Sequence, residues 1–403
     1  MERTVEVNET EFVFQQRTEV ETRTLIYDYK KCVGCGMCVY ACPVNAIELQ
    51  PVHDIALGLD MPPIMVNHTR CIFCGICFAF CPLNAFRFII DGFELRKEHT
   101  PAYLRGEVKK LENCVNCAIC YKVCPTNAIE RRVKLRRVDI PIRNEDVRGK
   151  IIIDEEKCKL CGICVEFCQA FKAVEGGGLK PYERILVDEG LCDYCKLCED
   201  ICPNGAIEVE GKRVVEDKLP EIAEVVIDEE RCIFCARCVK ACPYDGVEVK
   251  KPIEGKVVLY EGLLDDKCDL TGCKACILIC PTEAWRVEDG KLRVDEEICI
   301  FCGACKNACH QNLIVVRRYS IEVGNNDTPW TEGWFKTVER ILKEQPAEVV
   351  EESKVEELKT EVEVRIEAGK AEVDERFLKK LEKIEKKLKN PGFRRSIELD
   401  QKR

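Results

Sequence analysis

The chain has 403 residues and 32 cysteines, with 62 Lys and Arg against 72 Asp and Glu for a formal net charge of −10. That acidic balance argues against a nucleic-acid partner. In a secreted protein so many cysteines would mean disulfides. The sequence starts without a signal-peptide pattern and has no apolar stretch near the length of a membrane span, so a reduced, cytoplasmic chain with no membrane span is expected.

Residues 1–27 alternate in Thr4-Val5-Glu6-Val7 and Phe12-Val13-Phe14, which predicts an edge hairpin or an extension leading into the first cysteine-rich stretch. That stretch is Cys32-Val33-Gly34-Cys35-Gly36-Met37-Cys38-Val39-Tyr40-Ala41-Cys42-Pro43. Three thiolates at i, i+3 and i+6 can curl one loop around three corners of an iron–sulfur cube, and a fourth Cys followed by Pro points to a second cube. The pattern returns at Cys71, Cys74, Cys77 and Cys81, at Cys114, Cys117, Cys120 and Cys124, and at Cys158, Cys161, Cys164 and Cys168. It continues at Cys192, Cys195, Cys198 and Cys202, at Cys232, Cys235, Cys238 and Cys242, at Cys268, Cys273, Cys276 and Cys280, and at Cys299, Cys302, Cys305 and Cys309. Eight runs of four account for all 32 cysteines. The expectation is eight 4Fe-4S clusters with every cysteine an iron ligand. Structural zinc is the competing reading of any Cys-x-x-Cys, but three ligands within seven residues and a remote fourth, repeated throughout, suit cubanes better.

Successive runs begin about 30 to 45 residues apart, too little for each unit to bury a conventional core. The clusters must serve as cores, and folding should require them. Strand signals follow the runs in Ala46-Ile47-Glu48-Leu49, Ala128-Ile129-Glu130, Ala206-Ile207-Glu208-Val209 and Gly246-Val247-Glu248-Val249. Asp-ended strands precede them in Ile151-Ile152-Ile153-Asp154, Ile185-Leu186-Val187-Asp188, Val225-Val226-Ile227-Asp228 and Leu292-Arg293-Val294-Asp295. Strand, cluster loop, short helix and strand make an α+β ferredoxin unit.

The Glu288-Asp289-Gly290 turn predicts that the last two runs share a module. Counting back gives four tandem bacterial-type two-cluster modules, 28–105, 106–180, 181–258 and 259–326, after a 1–27 extension. Under this pairing Cys81 completes the set of Cys32, Cys35 and Cys38. Gly106 to Glu112 reads as a linker, and a nested order with one module inside another stays open. The 327–403 segment is expected to be a helical extension. One helix, capped at Thr328 and Pro329, carries Trp334, Phe335, Val338, Ile341 and Leu342 on one face and ends before Pro346. A second, capped by Asp374, carries Phe377, Leu381, Ile384 and Leu388 before Asn390-Pro391-Gly392. Each could fold back on the modules or dock on another subunit.

Three departures stand out. The seventh run inserts two residues in Cys268-Asp269-Leu270-Thr271-Gly272-Cys273, and the fourth and eighth replace the trailing Pro with Gln169 and His310. The residue after the first Cys is apolar in Val33, Ile72, Val115, Ile233 and Ile300 but polar in Lys159, Asp193 and Asp269; a carboxylate there would make its cluster harder to reduce. Arg131-Arg132-Val133-Lys134-Leu135-Arg136-Arg137 is a basic run that could receive an acidic soluble ferredoxin, or be a solvated face. His53, His68, His99 and His310 are scattered and read as no metal or catalytic set. No nucleotide loop, nucleophile elbow or catalytic carboxylate pair is present, so the chain reads as a non-catalytic electron carrier.

With its eight runs, and with Pro51-Val52-His53-Asp54-Ile55-Ala56-Leu57-Gly58-Leu59-Asp60 and Ile64-Met65-Val66 leading to Cys71, the chain resembles the archaeal polyferredoxins. Among them it is most similar to the eight-cluster polyferredoxin subunits of formylmethanofuran dehydrogenase. The resemblance covers roughly residues 28 to 345. It implies a role in methanogenesis, wiring a low-potential donor to the catalytic subunits of a multi-subunit oxidoreductase. Those subunits would reduce carbon dioxide at a tungsten or molybdenum pterin site. A hydrogenase or heterodisulfide reductase is the alternative host, and a free-standing electron store the alternative role. Taken in chain order, the run at Cys192 would be a middle link.

Overall fold

The structure is a computed structural model that describes residues 1–145, 148–260, 268–326 and 331–343. Its strands follow one rule. The strand before a run pairs with the strand after its partner run, and the strand after a run pairs with the strand before that partner. In the first unit Thr22–Asp28 pairs with Phe86–Ile90, and Ile47–Leu49 pairs with Ile64–Val66, which joins runs one and two. The N-terminal residues belong to this unit, because Glu2–Val7 and Glu11–Arg17 form a hairpin that extends the same sheet beside Thr22–Asp28. Runs seven and eight are joined likewise, by Ile253–Leu259 with Ile314–Ile321 and by the expected hairpin Trp285–Glu288 with Lys291–Val294. Asp289 and Gly290 both adopt positive φ, as the tight turn between those strands requires.

The middle of the chain corrects the consecutive pairing. Glu107–Lys110 pairs with Val247–Lys250, and Ile129–Val133 pairs with Ala223–Ile227, so run three is joined to run six. Between them, Lys150–Ile153 pairs with Ile207–Glu210 and Phe171–Glu175 with Tyr182–Val187, which joins run four to run five. The boundaries 106–180 and 181–258 are therefore replaced by one module inserted into the hairpin of another, and the arrangement is nested, not tandem. The reason is physical. Motif spacing is the same in every run and carries no partner information, whereas the ladder hydrogen bonds of the flanking strands are specific. The Gly176-Gly177-Gly178 turn between the strands after run four and before run five is the sequence signal for this pair.

The segment expected as a linker is likewise a strand. Val108 is buried with Val225, Val247, Cys120 and Cys238 in the core of the outer module. Buried Arg237 bolts modules together: it donates to the carbonyl oxygens of Val123 at 2.9 Å and Thr282 at 2.7 Å, and pairs with Glu283 at 2.8 Å. First and last modules are sealed by Ala102–Leu104 pairing with Val323–Asn325.

Of the C-terminal helices, Thr331–Lys343 is present, and Trp334, Val338 and Ile341 are buried in the core shared by the first and last modules. Its apolar face is covered by the chain itself. Thr328, Pro329, Pro346 and everything expected of Asp374 to Gly392 lie outside the described residues. Among the described residues no helix is long and apolar enough to cross a membrane.

Cys242→Ser tests the nesting. It is expected to disturb the centre held by Cys114, Cys117 and Cys120 in paramagnetic resonance spectra, whereas consecutive pairing would send the damage to the centre of Cys192, Cys195 and Cys198.

Candidate iron–sulfur centres

The cluster loops, that of the seventh run excepted, are shaped by a left-handed residue between their first two cysteines. Seven runs have one: Gly34 at φ 66°, and Phe73, Asn116, Leu160, Tyr194, Phe234 and Phe301 at φ 49° to 53°. A side chain in that conformation costs about 1–2 kcal/mol. Metal binding supplies on the order of 10 kcal/mol in small thiolate sites, so the loop can hold the strain once loaded. The return is a backbone N–H aimed at sulfur: Phe73 N donates to Cys71 Sγ at 3.4 Å, and Phe301 N to Cys299 Sγ at 3.3 Å. A second turn follows the fourth cysteine. Asn45, Asn84, Asn127 and Asn312 are left-handed there, and the next residue donates to the sulfur, as Ala46 N does to Cys42 Sγ at 3.2 Å and Ala128 N to Cys124 Sγ at 3.2 Å. The Cys-Pro-x-Asn-Ala pattern was legible in the sequence and its role was missed.

The sulfurs gather into eight sets of four, each completed by the fourth cysteine of the partner run. Cys32, Cys35 and Cys38 line a cavity with Cys81, and Cys71, Cys74 and Cys77 line one with Cys42. The inserted module has Cys158, Cys161 and Cys164 with Cys202, and Cys192, Cys195 and Cys198 with Cys168. Cys268, Cys273 and Cys276 meet Cys309. In the outer module Cys114, Cys117 and Cys120 neighbour Cys242, while Cys232, Cys235 and Cys238 neighbour Cys124. Cys299, Cys302 and Cys305 neighbour Cys280.

The donor chemistry fits 4Fe-4S clusters. Four soft sulfurs line an otherwise largely apolar cavity, which suits thiolate-bound iron. Burial pushes the free thiols up, Cys32 and Cys302 to about 11 and Cys120, Cys232 and Cys299 to about 12, with neighbouring cysteines adding repulsion. Four thiolates so placed need metal charge among them.

Sets in different modules touch. Ala118 N donates to Cys161 O at 2.9 Å, joining the third-run set to the fourth. Cys302 of the eighth run is an electrostatic neighbour of Cys35 in the first, and Asn307 donates to Gly34 O at 2.8 Å across the same junction. Half-buried Lys251 donates to the carbonyl oxygens of Glu296 and Cys299, both at 2.9 Å, and has Cys235 of the sixth run among its charge neighbours. The contacts thus join run five to four, four to three, three to six, six to eight and eight to one, and Asn84, just after Cys81 of the first set, also donates to the Cys232 carbonyl oxygen of the sixth run at 3.5 Å. The Cys192 set is an end, not a middle link, because nesting carries it outward.

The charged residues singled out in the sequence have structural work. Arg131 is buried and pairs with Glu166 at 2.6 Å, fastening the outer module to the inserted one. Arg137 Nε donates to Cys195 Sγ at 3.2 Å, and its Nη2 pairs with Asp193 at 2.5 Å. Lys134 pairs with Glu221 at 2.6 Å. Arg131 and Arg137 at the ends of the run are therefore clasps within the fold, Arg132, Lys134 and Arg136 between them are exposed, and Asp193 does not face its set as a lone negative charge. Asp269 Oδ1 accepts from Thr271 N and Gly272 N, both at 3.0 Å, closing the two-residue insertion into a turn. Two histidines correct the reading that the four are scattered: His53 and His310 lie with ring centres 4.4 Å apart beside Cys273.

Comparisons agree with this chemistry. A 4Fe-4S dicluster domain model matches residues 31–85, 113–171 and 191–246, and a 4Fe-4S binding domain model matches 265–283 and 296–316. The second and third dicluster matches join runs three with four and five with six in chain order; the strand registers decide the pairing otherwise, since equal motif spacing cannot distinguish partners. The chain is 45% identical over 58 residues to "Polyferredoxin protein FwdF" of Methanocaldococcus jannaschii, a match spanning 14% of this chain and only 16% of that protein. It also resembles a chain of the "Formate dehydrogenase - heterodisulfide reductase - formylmethanofuran dehydrogenase complex" from Methanospirillum hungatei, with TM-score 0.58 and 26% identity over 86% of this chain and 95% of that one. Fold and sulfur sets together define a repeated ferredoxin-type 4Fe-4S protein. Within that class the chain belongs to the polyferredoxins.

Arg137→Met removes the cation and the N–H···S bond at the fifth-run set. The midpoint potential of that centre alone is expected to fall in a redox titration, because hydrogen bonds and positive charge at cluster sulfur favour the reduced state; an unmoved titration would show that Arg137 only packs.

Proposed function

We propose that the chain carries eight 4Fe-4S clusters, one per sulfur set, and conducts electrons as a non-catalytic subunit of a formylmethanofuran dehydrogenase complex. The observation that carries this reading is the continuity of the sets: eight groups of four sulfurs, each within a backbone contact or a module of the next. A 4Fe-4S cluster supplies reversible one-electron storage over a wide range of potentials. The protein supplies the rest. Paired runs hold two sets in each module, Ala118, Asn307 and Lys251 fix the junctions between modules, and buried apolar walls keep water from the sulfurs.

The host is argued from likeness. The relative from M. jannaschii bears the name FwdF, and the M. hungatei title names formylmethanofuran dehydrogenase together with formate dehydrogenase and heterodisulfide reductase. Those last two make heterodisulfide reductase or a formate-oxidising partner the favoured donor, with soluble ferredoxin as the alternative. Trp334, Val338 and Ile341 of the helix Thr331–Lys343 are buried against the chain's own modules, so these three side chains are taken up within the chain.

The eighth-run set neighbours cysteines of the first and seventh runs and shares Lys251 with the sixth, so Cys305→Ser is the informative variant. In the assembled complex it is expected to lower turnover driven through the polyferredoxin while sparing assays in which an artificial dye reaches the catalytic subunit directly. Full driven turnover with that centre demonstrably absent would contradict a conduit and favour a store.

A further inference from the structure

The seventh-run set differs from the others. Its loop is enlarged, Asp269 folds the extra residues into a closed turn, and Cys273 lies against a residue 220 positions away in sequence. His53 Nε2 is 3.7 Å from Cys273 Sγ, within reach of an N–H···S hydrogen bond. The imidazole is held from several sides. Val52, its neighbour, is buried in the core, Asp54 Oδ1 lies 3.1 Å from Nδ1, and the His310 ring stands edge-on at 68°. The short helix Val52–Ala56 that carries His53 packs against Ala275–Leu278 and Ala304–Ala308, the two helices of the last module. His310 occupies the place that Pro takes after the fourth cysteine in six other runs. The two unusual features of this module, the insertion and the missing Pro, thus converge on one histidine supplied by the first module.

We propose that His53 is a positioning residue for the seventh-run centre: as a doubly protonated ring, with Nδ1–H on Asp54 and Nε2–H on the Cys273 sulfur, it donates a hydrogen bond to that sulfur and raises the centre's potential. This rests on the reading that Cys268, Cys273, Cys276 and Cys309 hold a cluster. A donor at a ligand sulfur draws electron density from the iron and stabilises the reduced form. The ligand atoms of His53, Cys273 and His310 also lie within 4.8 Å of one another, close enough for a mononuclear metal. In the loaded chain the Cys273 sulfur is committed to cluster iron, so the imidazoles are neighbours of the centre and not ligands.

The test is a redox titration followed by paramagnetic resonance on the full chain, with iron and other metals counted first. Cys276→Ser identifies the seventh-run component by its loss. His53→Phe and His53→Met, two side chains of different shape and no donor, are both expected to move that component to lower potential and leave the others in place. His53→Gln, which keeps a donor, should restore most of the shift, and 15N-labelled histidine should show a weak coupling to that centre in the wild type. An unmoved component in both donor-free variants, a strong directly bonded nitrogen coupling, or a stoichiometric second metal would each overturn the proposal. An absent seventh-run component in the wild type, with iron short by one cube, would instead contradict the cluster assignment beneath it.

Discussion

Four thiols crowded into a dry cavity are the constraint on which this molecule rests. Burial pushes them up, Cys32 and Cys302 to about 11 and Cys120 to about 12, and the fully enclosed Cys35, Cys38, Cys77 and Cys305 well above the usual thiol range, with neighbouring thiolates adding to it. Iron removes that conflict by taking the protons' place, which is why short helices of four or five residues and, outside the five-stranded sheet of the first module, two-stranded ladders suffice around the sets. The left-handed residues in the loops belong to the same balance. Their strain is small beside metal binding, and it turns backbone N–H groups toward sulfur where a relaxed loop would turn them to water.

Strand exchange gives the sets their order. Because the strand before a run pairs with the strand after its partner, a module is a closed unit whose internal hairpin can be opened to admit a whole second module. Ile129–Val133 and Ala223–Ile227 are that opened hairpin. The insertion moves the Cys192 set to the tip of an arm and brings the sixth run beside Lys251 and the eighth. Sequence neighbours are then not the neighbours an electron meets.

The sequence showed the ligands and the α+β unit plainly, because Cys spacing within a run is local and tied to cubane geometry. It also showed the last hairpin, where Asp289 and Gly290 permit one turn. Pairing of runs three to six was not legible from the motifs, since identical loops leave the choice to ladder registers between distant strands. Gly106 to Glu112 looked like a linker because Val108 is its one buried apolar residue, yet Val108 seats it beside Val247. The basic run misled for a related reason. Charge was visible, but the acidic partners Glu166, Asp193 and Glu221 lie 35 to 87 residues away, and only the fold brings them in. His53 and His310 are the extreme case, scattered in sequence and touching in space.

Nesting of ligand sets is the central claim, and iron-edge anomalous diffraction from anaerobically purified protein tests it most directly. The account predicts eight cubes, with Cys242 completing the cube of Cys114, Cys117 and Cys120, and Cys202 completing that of Cys158, Cys161 and Cys164. A cube in which Cys168 joins Cys114, Cys117 and Cys120 would contradict it.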